Sequence, residues 1–74
     1  MIAEFNYTNR KPSIVTLNAH LRKAIAKGAD FIILRWGENQ INVERTQWGW
    51  CGRGWIGRNG GQDLANVLNN LRIC

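Results

Sequence analysis

Acid is scarce in this chain and unevenly placed. Five Asp and Glu stand against ten Lys and Arg, a net charge of +5, and no acid falls between Arg45 and Asn59. A basic balance of this kind draws a small domain toward polyanions: nucleic acid, an acidic protein surface or anionic lipid. The same charge also serves solubility. Cysteine is nearly absent. Cys51 and Cys74 are too few for a disulfide framework, and their spacing fits no zinc site. With His20 as the single histidine, no metal and no cofactor is expected. Both cysteines read as reduced thiols in a cytoplasmic protein, with a Cys51–Cys74 bridge as the disfavoured alternative. No apolar run approaches the length of a membrane span, so no membrane is expected. The first five residues lack a positive segment followed by an apolar one, so no signal peptide is expected. Ordinary apolar content and modest charge argue against a disordered tail. Seventy-four residues predict one domain, residues 1–74, which buries only about 60% of its unfolded surface.

What is abundant is concentrated. Residues 49–61 hold six of the eight glycines and two of the four tryptophans, with Arg53 and Arg58 and no acid. Glycine weakens regular structure because it has the most backbone freedom to lose. Here it alternates with large rings and cations. The pattern predicts a backbone that approaches something closely, with planar and cationic groups displayed beside it.

Residues 2–7 alternate, Ile2, Glu4 and Asn6 against Ala3, Phe5 and Tyr7, as a short strand would. Pro12 marks a boundary after a polar, basic connector. Residues 13–27 predict a helix capped by Ser13, with Ile14, Leu17, Leu21, Ala24 and Ile25 as its apolar stripe and Gly28 as its left-handed end. Residues 30–36 predict a central strand, because the consecutive apolar residues Phe31, Ile32, Ile33 and Leu34 imply burial on both faces. After a turn at residues 37–40, residues 41–48 return as its hairpin partner. Trp48 has the wrong parity to join Ile41 and Val43, so a bulge near Thr46 or Gly49 is expected to correct it. A third, irregular strand is expected over residues 50–56. Residues 62–72 predict the clearest helix, with Leu64, Val67, Leu68 and Leu71 at helical spacing and Asp63 and Arg72 suited to the helix dipole.

The expected order is (β)-α-β-β-(β)-α: an α+β domain with an antiparallel sheet of about three strands and two helices on one face. This order resembles that of the double-stranded-RNA-binding domain. That family places a lysine cluster at the start of its last helix, where this chain has Gln62-Asp63-Leu64. A small toxin ribonuclease family of similar order uses a strand histidine, whereas His20 falls on the first helix. The resemblances carry over no residues.

Gly52-Arg53-Gly54-Trp55-Ile56-Gly57 spells GxGxxG, but a dinucleotide site needs that motif between a strand and a helix in a βαβ unit. A looser reading is an anion site, with glycine N–H groups and the helix start near Gly60 and Gly61 assisted by Arg53 and Arg58. The blander reading is a tight bulged hairpin with solvated arginines. For the tryptophans, burial removes about 200 Å² each, worth on the order of 5 kcal/mol as an upper estimate. That is about the whole net stability of such a domain. At least two of the four must therefore be structural, Trp36 first. Trp50 and Trp55, among the glycines, are the rings expected to be exposed. Arg35, Arg45, Arg53 and Arg58 are expected either to form one basic patch or to stand as separate surface charges. No nucleophile–base pair is evident, so an enzyme is not expected. Two functions follow as expectations. One is nucleic-acid binding, DNA or RNA, through Arg35, Arg45, Trp50, Arg53, Trp55 and Arg58, which neutralise phosphates and stack on unpaired bases. The other is a small phage or mobile-element accessory protein that binds and inhibits a host partner through an acidic protein surface. An exposed strand edge also leaves room for a homodimer.

Overall fold

The computed structural model describes residues 1–7 and 10–71. The fold is α+β. In order the elements are β1 (Ile2–Tyr7), α1 (Ile14–Ala26), β2 (Phe31–Trp36), β3 (Asn39–Thr46), β4 (Gly49–Ile56) and α2 (Gly60–Leu71). The strands form one sheet in the order β1-β2-β3-β4. β1 runs parallel to β2, and the other two pairings are antiparallel. The sheet is thus four-stranded and mixed, where sequence reading expected about three antiparallel strands. The reason is α1: a helix between two strands carries the chain back to the end where it began, so the next strand starts in the same direction.

α1 starts where expected. The Ser13 hydroxyl accepts the Thr16 N–H at 3.2 Å, and Gly28 takes φ +86° just past the helix end. Leu17, Leu21 and Ala24 are buried, but Ile14, assigned to the same stripe, is 43% exposed. Leu64 and Val67 of α2 join Leu17, Leu21 and Ala24 in one core with Ile32, Leu34, Trp36, Ile41, Val43 and Trp50. Both helices therefore cover the same face of the sheet. Along β2 the alternation is strict. Ile32, Leu34 and Trp36 are sealed under the helices, while Phe31 and Ile33 are half-buried on the open face. β2 is central, but only one of its faces is fully covered.

Three contacts tie the periphery to this core. His20 on α1 stacks on Phe5 and Tyr7 of β1, and the Tyr7 hydroxyl lies 2.5 Å from its Nδ1. The N-terminal ammonium pairs with Asp30 at 3.0 Å. Asp63, in the first turn of α2, is 4% exposed and holds the Lys11 ammonium from the connector before α1. Sequence reading gave Asp63 only a dipole role; it is also the buried anchor of that connector. Arg72 and Cys74 lie outside the described residues. No helix among the described residues is long and apolar enough to cross a membrane.

Candidate nucleic-acid interface

β4 carries most of the Gly/Trp segment and stands at an edge of the sheet. Its geometry follows from its turn and its bulge. Strand β3 ends at Thr46, two residues earlier than expected. The Thr46 hydroxyl takes the Trp48 N–H at 3.2 Å and donates to the Gly49 carbonyl at 2.8 Å. This local bonding draws Gln47 and Trp48 out of the strand and into the hairpin turn. Thr46 then faces Gly49, Arg45 faces Trp50, and Val43 faces Gly52. The register shifts after that pair, because Asn42 faces Gly54 and Arg53 is left over as the bulged residue.

The bulge exchanges the two faces of the strand. Before it, Trp50 and Gly52 point to the helix side. After it, Trp55 does, opposite Ile41. An unbroken strand would have sent Trp55 to the open face. The bulge expected near Thr46 or Gly49 is absent, since the ladder is regular there; the register shift lies at Arg53 and acts on Trp55 rather than on Trp48.

The tryptophans divide two and two. Trp36 and Trp50 are 3% and 8% exposed, and Trp48 and Trp55 are 78% and 56% exposed. The expectation for Trp50 is therefore corrected. Its parity places it under the helices, and the Arg45 guanidinium lies over its ring, 5.5 Å from the centroid. Trp48 was missed as a display residue. The signal was its wrong parity, which marked a turn residue rather than a distorted strand.

The arginines are not one patch. Arg35 lies on the open face, 3.4 Å from Glu4 and hydrogen-bonded to Gln40 at 3.0 Å. Arg53 projects from the bulge and pairs with Glu44 at 3.4 Å. Arg45 belongs to the helix side, at the end of the sheet near the hairpin turn. Arg58 follows the other end of β4, exposed and without an acidic partner among the described residues. Arg53 lies in the edge strand β4, Arg58 just beyond its end and Arg45 on the neighbouring strand β3, and Arg35 stands apart on β2.

The GxGxxG segment lies inside β4 and its exit, not between a strand and a helix, so it has no dinucleotide geometry. The start of α2 is also partly committed. Gly60 N–H donates to the Gly57 carbonyl and Asp63 N–H to the Asn59 carbonyl. Those donors are unavailable to an anion. Cys51 is disulfide-bonded, which corrects its reading as a reduced thiol. Thiol pairing depends on proximity in space, about which cysteine count and spacing are silent. Among the described residues no three His, Cys, Asp or Glu side chains gather as a metal site would require. Burial pushes the Tyr7 hydroxyl above its ordinary range, and the neighbouring ammonium holds Asp30 below its own.

No protein-family model, no curated protein and no solved structure matches this chain.

Proposed function

We propose that this protein binds nucleic acid along the outer edge of β4. The observation that carries the reading is the pair of exposed indoles, Trp48 and Trp55, at the two ends of that strand. At about 3.3 Å per residue they stand roughly 20 Å apart. Arg45, Arg53 and Arg58 lie near or between them, in a segment without acid from residue 45 to residue 59. Guanidinium groups neutralise phosphate, and exposed indoles stack on bases at about 1–3 kcal/mol per base. Trp48 takes the place first given to Trp50, and Arg35 drops from the set because it stands on β2, away from the β4 edge.

The test is a salt titration with single-stranded and duplex DNA and RNA, followed by tryptophan fluorescence. Binding through three arginines gives a log-log slope of about −2 on single strands, at about 0.7 per phosphate contact. Absence of binding at low salt rejects the reading. Ile56 favours a protein partner instead. It is 57% exposed on the open face, opposite Gln40 and one residue on from Trp55, and an aliphatic side chain gains nothing from phosphates. A blocking protein, such as a phage accessory inhibitor, would use this ring-and-aliphatic end as an interface anchor. Ile56→Ser separates the two: oligonucleotide affinity stays unchanged if nucleic acid is the partner.

A further inference from the structure

The structure assigns to Trp55 a preset stacking face for an unpaired base, with Gly60 and Gly61 as the residues that position it. The assignment rests on the nucleic-acid reading above and names what that edge selects: single strands over duplex.

The argument starts from an oddity of α2. Two consecutive glycines open the helix, at positions where glycine is a poor helix former. The Trp55 indole explains them. A Cβ added to Gly60 would stand 2.7 Å from Cδ1, 2.8 Å from Cβ and 3.0 Å from Cγ of Trp55. One added to Gly61 would stand 3.2 Å from Cε2 and 3.3 Å from Cζ2. Contacts from the near end of the ring to its far end mean that the indole lies lengthwise across both glycines. Only a residue without a side chain lets it settle there at Gly60.

Such seating is more than a surface ring needs. Gly60 is buried beneath the indole, yet Trp55 remains 56% exposed. The ring has one supported side and one open side. A ring held in place on a helix loses little side-chain freedom when a second flat group lies on it, so the ordering cost of binding is met during folding. A base inside a duplex already has its faces covered by neighbouring pairs, whereas an unpaired base can present one. Positive charge at Arg53 and Arg58, on either side of Trp55, suits the strand that carries that base. Trp48 contrasts with this: it stands 78% exposed in the hairpin turn.

Two measurements test the assignment. The first uses the unaltered protein with two oligomers of equal length, one of thymidine nucleotides and one abasic. Both carry the phosphates, and only one carries bases. The thymidine strand should bind about 5- to 150-fold tighter, the range set by about 1–3 kcal/mol of stacking, and should quench tryptophan emission. Equal affinity would overturn the assignment while leaving phosphate binding intact. If neither oligomer binds at low salt, the nucleic-acid reading falls and the stacking face falls with it. The second measurement uses Trp55→Leu and Gly60→Ala, with Gly61→Ala as the milder displacement. Each should reduce the preference for single strand over duplex, with the salt slope unchanged. A purely structural Trp55 would lower the melting temperature and leave that preference as it was.

Discussion

The two halves of β4 have the same ingredients and opposite fates. Gly49–Gly52 and Arg53–Ile56 each combine glycine with one tryptophan, yet Trp50 is sealed and Trp55 is open. Both rings face the helix side. What differs is what lies above them. Trp50 is part of the core that includes Leu64 and Val67 and is covered at its edge by Arg45. Trp55 lies against the first turn of α2, where Gly60 and Gly61 offer backbone and no side chain. The contrast teaches that the exposure of a large ring is decided by how much partner surface reaches it, not by which way its strand points.

The contrast breaks most readily through truncation. Trp50→Ala should cost about 3–5 kcal/mol, as deletion of a core aromatic does, while Trp55→Ala should cost well under half as much in the same urea titration. Equal costs would erase the difference between the halves. A second route acts on the helix that supplies the cover. Lys11→Met leaves the buried Asp63 carboxylate without its ammonium and should cost about 1–3 kcal/mol, less than a fully buried pair because the lysine is itself half exposed. Asp63→Leu placed on that variant should recover most of the loss.

Removal of the bulge sharpens the comparison. Deleting Arg53 removes the extra residue and leaves a regular ladder in which Trp55 still faces Ile41 on the helix side. The cost should be about 1 kcal/mol, and acrylamide quenching of that ring should stay as it was. Stronger quenching would mean that the register of β4 does not by itself orient the ring. The smallest effect comes from the opposite edge of the sheet and serves as a control. Burial raises the pKa of Tyr7 above its unfolded value of 10.0. Its contribution to stability is therefore whole below pH 10 and is lost as the pH climbs through the higher folded value. Tyr7→Phe should flatten stability in that alkaline window and leave the quenching of both β4 rings unchanged.

Much of the scaffold was legible before folding because it depends on near neighbours. Helical spacing marked Leu17, Leu21 and Ala24, and again Leu64 and Val67, and all are buried. Ser13 and Gly28 bracketed α1 by bonding and conformation that act within a few residues. The alternation of β1 marked a strand and divided its residues into the two sides that the fold leaves exposed and half-buried. The candidate site was read less well. Trp55 was identified as exposed and Trp50 was not distinguished from it, because the two share a composition and differ in what packs on them. Trp48 was mistaken for a strand residue, since the hydroxyl bonds of Thr46 that release it into the turn do not alter the apolar pattern.

The chain alone determined its elements, its capping and the concentration of charge and rings in one segment, because those are properties of composition and short-range geometry. Tertiary structure decided the parallel pairing of β1 with β2, the bulge at Arg53, the disulfide at Cys51 and the separation of the arginines. Each of these depends on which distant segments meet, and pairing and burial arise only when they do.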